Sequence, residues 1–289
     1  MNLSRREAIV GAGALTLSAM TPADAQDKTV KKGKIKQGAC LWCWTSRKVT
    51  LEQLCKAGAE MGLACIDLVK PEGWKVVRDH GLAVSTGLVG AGSIANGVND
   101  KKHHDTILRA FEENIPKAAA EGVRNVIVMF GNRVPGMSDP EAIDNSIECL
   151  NKAKVIAEAS KVTIVLEILN SKVDHAGYIG DNSAYCLKII KAVNSSYVKY
   201  LYDIYHAQIM EGDVMRTIQK ESQWIGHYHT GGNPGRAEID ETQELNYVAI
   251  TKAVIKTGFA GYYAHEFIPK KADPIQSLRD AVALCDVEA

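Results

Sequence analysis

Thr163-Ile164-Val165-Leu166-Glu167 is a short apolar run, β-branched at three of five positions, that stops on a carboxylate. After a stretch of helical period, Tyr200-Leu201-Tyr202 stops on Asp203. Ile225-Gly226-His227-Tyr228 then runs to His229, and Ala264-His265 to Glu266. Short β-branched runs separated by longer amphipathic ones are the mark of βα units feeding a parallel sheet.

The same beat extends back to residue 34. Strands are expected near 36–41, 64–68, 83–88, 125–130, 163–167, 198–202, 224–228 and 261–266. Amphipathic helices are expected between them, at 51–61, 105–121, 140–160, 182–193, 213–221 and 247–257. Asp139-Pro140 places a proline near a first helical turn, and Gly62, Gly122 and Gly258 stand where helices should end. Eight strands with covering helices, and no linker or composition break, predict an α/β fold made of one (β/α)8 TIM barrel over residues 26–289.

Residues 1–25 read as an export signal instead of part of the barrel. Arg5-Arg6 precedes an uncharged run from Ala8 to Met20, and Ala23-Asp24-Ala25 offers the small-residue pattern of a cleavage site. Those 13 residues fall short of the roughly 20 needed to span a bilayer. The paired arginines resemble the twin-arginine class, so the mature chain is expected in the periplasm, without stable membrane insertion.

The 289 residues are 46% hydrophobic and 24% charged, with 34 basic and 34 acidic side chains. The excluded segment carries Arg5, Arg6, Glu7 and Asp24, so removing it leaves the balance at zero. Nothing in that balance recruits nucleic acid or an anionic lipid surface, and a small polar metabolite is the expected partner. Seven scattered cysteines are too sparse for a disulfide scaffold, and their odd number leaves at least one thiol unpaired in a monomer.

In a barrel of this kind chemistry gathers at the C-terminal ends of the strands. An acid after one strand is commonly a helix cap or a solvated loop residue, but four successive strands ending in Glu167, Asp203, His229 and Glu266 are harder to dismiss. Charges there are costly to desolvate unless paired or bound to a cation. Three carboxylates and one imidazole suit Mn2+ or Mg2+, tolerate Co2+, and leave Zn2+ open, although zinc usually draws more His or Cys.

Five segments make the pattern specific: Leu166-Glu167-Ile168-Leu169-Asn170; 201–208, beginning Leu201-Tyr202-Asp203 and containing His206; 226–236, from Gly226-His227-Tyr228-His229 to Asn233-Pro234-Gly235-Arg236; Glu244-Leu245-Asn246-Tyr247; and Gly261-Tyr262-Tyr263-Ala264-His265-Glu266. Over 163–269 this resembles the hydroxypyruvate isomerase family of the xylose-isomerase-like barrels, which also include ketose 3-epimerases. The resemblance implies a divalent metal held by Glu167, Asp203, His229 and Glu266. It further implies that His206, three residues after Asp203, contacts a substrate oxygen, and that Arg236 holds a hydroxyl or carboxylate. Hydroxypyruvate isomerases of this kind carry Gln where His229 stands, whereas His there is the epimerase pattern.

The chemistry expected is removal of a proton beside a carbonyl. A divalent charge at the adjacent oxygens stabilises the enediolate, and Glu167 and Glu266 take and return the proton. Return to the neighbouring carbon converts aldose to ketose, and return to the opposite face of the same carbon epimerises. The substrate is expected to be a small sugar or hydroxy keto acid. An exported sugar-binding module without turnover is the alternative from another class, and a phosphodiester or abasic-site hydrolase is disfavoured by the neutral balance. By analogy with other barrels alone, self-association is expected.

Other signals are set aside. Gly90-Ala91-Gly92-Ser93-Ile94-Ala95 imitates a dinucleotide fingerprint, but the Asn-rich sequence after it should not open a helix. Cys40-Leu41-Trp42-Cys43 has dithiol spacing, yet is expected to run off a strand without reaching a helix N-terminus. His103 and His104 are expected to be solvated, His227 to be core or to back the site, and His265 to face away from it. Glu244 is read as a solvated or capping residue, and Trp42, Trp44 and Trp74 as packing more than pocket wall.

Overall fold

The computed structural model describes residues 28–288, and the expected export signal lies outside them. Nine parallel segments follow one another around a ring: β1 (Lys36–Cys40), β2 (Cys65–Asp67), β3 (Ala83–Val84), β4 (Thr86–Gly87), β5 (Asn125–Val128), β6 (Thr163–Glu167), β7 (Val198–Asp203), β8 (Ile225–Thr230) and β9 (Tyr262–His265). β1 pairs with both β2 and β9, which closes that side.

The expected third strand is one stave in two pieces. Ser85, between β3 and β4, donates its N–H to the Ile66 carbonyl on one side (3.1 Å) and accepts the Asn125 N–H on the other (3.0 Å). β3 therefore ladders with β2 and β4 with β5, and the chain changes partner at Ser85. With Val69 bridged to Gly87, the ring is the eight-staved TIM barrel predicted.

Each stave is followed by helix. The expected 51–61 is α2 (Leu51–Met61), preceded by the five-residue α1 (Leu41–Thr45); Thr50 and Gln53 form a reciprocal capping box, and Gly62 ends α2 in the left-handed region at φ 85°. α3 (Pro71–Asp79) was not among the expected helices. α4 (His104–Ala120), α5 (Asp139–Ser160) and α6 (Ser183–Val193) lie within a residue of expectation at each end. α7 (Ile204–Met210) follows β7 directly; α8 (Val214–Glu221) and α9 (Tyr247–Lys256) match their patterns; α10 (Pro274–Cys285), also unexpected, starts on an Asp273 cap with proline in its first turn.

The core occupies the barrel and the layer between staves and helices, so the strands are apolar on both faces. The first and last parts of the described segment are tied: the Asp286 carboxylate accepts the N–H groups of Lys31 (2.7 Å), Lys32 (2.9 Å) and Gly33 (2.9 Å). All seven cysteines are buried and unpaired, and among the described residues no helix is long and apolar enough to cross a membrane.

Two local expectations are corrected. Cys40 does meet a helix, as the N-cap of α1, but burial drives its thiol and that of Cys43 well above the usual pKa, so neither forms a thiolate readily. His104 is buried instead of solvated, with Nε2 2.9 Å from the Val98 carbonyl. After Gly90 no helix opens until residues 101–103, so the fingerprint lacks the helix N-terminus a pyrophosphate needs.

Candidate metal centre and active site

The ends of β6 to β9 converge on one point. Glu167 closes β6, Asp203 closes β7, His229 is the penultimate residue of β8, and Glu266 follows β9. All four are buried, and each offers a ligand atom within 4.8 Å of the other three. Asp203 also caps α7, its Oδ1 accepting the N–H of Tyr205 (2.9 Å) and His206 (3.2 Å), which leaves Oδ2 for the centre.

His229 shows what the cluster is shaped for. Its Nε2 lies 2.8 Å from Asp67 Oδ2, so that nitrogen carries a proton and donates it. Its Nδ1 lies 2.9 Å from Glu167 Oε1, 2.7 Å from Glu266 Oε2 and 3.9 Å from Asp203 Oδ2. Burial would lower the His229 pKa, but Cys40 and Glu266 more than reverse this, so Nδ1 carries a proton between the carboxylates, in the place a cation would take. The donor set thus fits a hard divalent cation with one imidazole ligand.

Asp67 was not singled out in the sequence, although Cys65-Ile66-Asp67 ends in an acid as do the strands that lead to Glu167, Asp203 and Glu266. It is fully buried, accepts the Ser85 hydroxyl on Oδ1, and has His227 Nε2 at 3.3 Å beside His229 on Oδ2. Burial would raise its pKa, but His227 and His229 hold it well below the aspartate range. A carboxylate behind a ligating histidine fixes tautomer and ring orientation.

Arg236 reaches the same oxygens from the loop after β8. Its Nη2 donates to Asp203 Oδ2 (2.7 Å) and Glu266 Oε2, and its guanidinium lies 4.9 Å from the Tyr205 ring centroid. The loop is stapled by pairing between Gly232 and Ala237 and by the Ile268 N–H on the Arg236 carbonyl (2.7 Å). Arg236 itself is left-handed at φ 49°, where a non-glycine residue needs the surrounding loop to hold it. His206 accepts the Asn170 N–H on Nδ1 (3.1 Å), so its protonated Nε2 confronts Arg236 Nη1 at 2.7 Å. Two donors meeting without an acceptor would be relieved by an incoming oxygen. Burial, reinforced by Arg236, keeps the His206 pKa well below the ordinary value.

The two glutamates differ in charge state. Burial, then the charge of Glu266, raises Glu167 to about 7. Burial acts on Glu266 as well, but His229 and Arg236 more than reverse it and hold its pKa well below the carboxylate range. Asp203 is raised by burial, against the pull of Arg236.

Trp42 turns out to be wall as well as packing. Its indole Nε1 donates to Glu266 Oε1 at 2.6 Å, and its ring lines a cavity of about 600 Å3 shared with Glu167, His206, Arg236 and Glu266. Trp44 and Trp74 are buried packing, as expected. His227 is buried beside His229, and His265 faces away, against Gln37 and Thr230. Glu244 is exposed and accepts from Gln208. A cavity of about 660 Å3 at the opposite end of the barrel has no carboxylate in its lining and is not suited to the same chemistry.

The chain is similar to known proteins in sequence and in fold. The sequence matches the family described as xylose isomerase-like TIM barrel over residues 57–286. The hydroxypyruvate isomerase of Escherichia coli K12 is 28% identical over 153 residues, 53% of this chain and 58% of that protein. The 3-dehydro-D-guloside 4-epimerase of the same organism is 24% identical over 221 residues, 72% of this chain and 80% of that protein. The crystal structure of an AP endonuclease, family 2, from Brucella melitensis shares the fold, with a TM-score of 0.75 at 22% identity over 84% of this chain and 97% of that one. The sequence relatives support an enzyme of the isomerase or epimerase kind. By its family match, its eight-staved barrel and the cluster at its C-terminal mouth, the chain belongs to the xylose isomerase-like TIM barrel family.

Proposed function

We propose that the chain isomerises a hydroxy carbonyl compound or sugar by metal-dependent enolisation. The observation that carries this is the position of His229 Nδ1, within 2.9 Å of Glu167 and 2.7 Å of Glu266. Mn2+ or Mg2+, held by Glu167, Asp203, His229 and Glu266, would supply positive charge where the substrate's adjacent oxygens gain negative charge. Glu266, which accepts from Trp42 and Arg236, removes the proton beside the carbonyl, and Glu167 returns one. His206 Nε2 and Arg236 Nη1 receive a substrate oxygen between them and orient it. The export signal read in residues 1–25 would place this chemistry in the periplasm.

Epimerisation at the carbon beside the carbonyl is a second reading, favoured by His in place of Gln at 229 and by the likeness to the 4-epimerase. The same residues serve both outcomes.

The test is proton NMR in D2O, with Mg2+ and a panel of hydroxypyruvate, ketoses and keto glycosides. Signals of the proton beside the carbonyl should vanish only with protein and metal together. Glu167→Gln and Glu266→Gln should each abolish the exchange while melting as the unaltered protein does; full exchange in either would remove that residue from the mechanism. Bound metal without exchange on any compound would overturn enolisation in favour of a binding role.

A further inference from the structure

Beyond Glu167, His206, Arg236 and Glu266 the wall of the cavity is mostly hydrocarbon, with Asp174, His175 and Tyr205 among it. Among the described residues six large hydrophobic side chains are exposed, and three of them, Trp42, Ile94 and Val173, line this cavity. They come from three separate connections, after β1, β4 and β6, so the fold and not a local run of sequence brings them together. Leu68, Met129 and Ile268 continue the wall. Ligand pockets are lined mainly by apolar and aromatic side chains, with a few polar groups that fix orientation.

Size points the same way. At about 30 Å3 per water, a cavity of about 600 Å3 has room for roughly twenty water-sized units. A three-carbon keto acid would fill only the polar end. Trp42 is the hinge between the two ends: its N–H is spent on Glu266, while its ring stays 39% exposed. A ligand ring lying on that face would press on the residue that orients the catalytic carboxylate.

We propose, resting on the enolisation reading, that the substrate is a keto glycoside whose aglycone or second ring lies on Trp42, Ile94 and Val173, instead of a three-carbon acid or a free ketose. The sugar presents its hydroxy carbonyl to the carboxylate cluster, and the distal group loses apolar surface to the wall. Specificity then arises from the loops after β1, β4 and β6, while the chemistry stays on the ends of β6 to β9.

The experiment compares the methyl and phenyl glycosides of one 3-keto-glucose, with hydroxypyruvate alongside, by deuterium exchange in the presence of Mg2+. The phenyl glycoside should exceed the methyl glycoside in kcat/KM by about tenfold, the order of effect of added apolar contact in a pocket, and mainly through KM. The double substitution Ile94→Ser, Val173→Ser should bring that ratio down toward unity with no change in melting temperature. A ratio near one in the unaltered protein, a ratio untouched by the double substitution, or a higher kcat/KM for hydroxypyruvate than for either glycoside would overturn the substrate assignment and leave enolisation standing. Absence of exchange on every compound would remove enolisation, and the substrate assignment with it.

Discussion

Replacing Asp67 tests whether the cluster is built for a metal. Asp67 is fully buried and takes the His229 Nε2 proton at 2.8 Å, which leaves Nδ1 as the free donor toward Glu167, Asp203 and Glu266. Asp67→Asn keeps an acceptor there but removes its charge. Hydrogen bonds to charged groups contribute about 1.5–3 kcal/mol and neutral ones about 0.5–1.5, so the loss is about 1–1.5 kcal/mol, or roughly five- to twelvefold in affinity. Asp67→Ala removes the acceptor altogether, strands Nε2 in a buried site and frees the ring to take the wrong tautomer. Loss of such a partner costs up to about a hundredfold in metal affinity. Calorimetric titration with MnCl2 reads both, and thermal unfolding followed by circular dichroism separates weakened binding from lost structure. Binding by Asp67→Ala as tight as that of the unaltered protein would refute the reasoning. His229→Ala, which leaves no ligand atom, then locates the fault: weakened binding in that variant would mean that His229 ligates without help from Asp67, and unchanged binding would mean that it is no ligand.

Two other substitutions probe the frame around the site. A Cβ at Gly232 would lie 2.1 Å from the Glu238 carbonyl, so Gly232→Ala must shift the loop that presents Arg236. It should lower kcat/KM at least tenfold while costing about 1–3 kcal/mol of stability, and unchanged kinetics would show that the loop adapts without moving Arg236. Burial pushes the Asp286 carboxyl up, but the N–H groups of Lys32, Lys31 and Gly33 more than reverse this and lower its pKa. Its contribution to stability is therefore present above the unfolded aspartate pKa and lost as pH falls through the lower native one. Asp286→Asn should cost about 1–2 kcal/mol at neutral pH and almost nothing in strongly acidic buffer; an equal deficit in melting temperature at both would exclude the carboxylate as the cause.

Strand ends were legible in the sequence because hydrophobic period and a terminal acid are local signals. Glu167, Asp203, His229 and Glu266 each announce themselves within five or six residues, and the parallel ring does the rest. Asp67 shows the limit. Its importance comes from contact with His229, 162 positions away on a stave that is not its neighbour, and no local pattern reports which staves face each other across a barrel. Trp42 is hidden for a related reason: an indole after a strand reads as packing until its N–H is seen on Glu266. α3 and α10 open on ordinary start signals, Pro71 and Asp273-Pro274. The break at Ser85 is set by the geometry of changing partners, which a continuous apolar run conceals.

That break gives the barrel a seam. β2 and β3 share two paired positions, as do β4 and β5, while β6 and β7 share four. Local opening follows the least supported ladder, so amides of residues 83–87 should exchange with solvent faster than those of β6 to β8. Loosening at the seam does not stay there, because the Ser85 hydroxyl donates to Asp67 and Asp67 holds His229. An excursion of that stave that breaks the Ser85 contact would release one of the hydrogen bonds that hold Asp67 behind the imidazole.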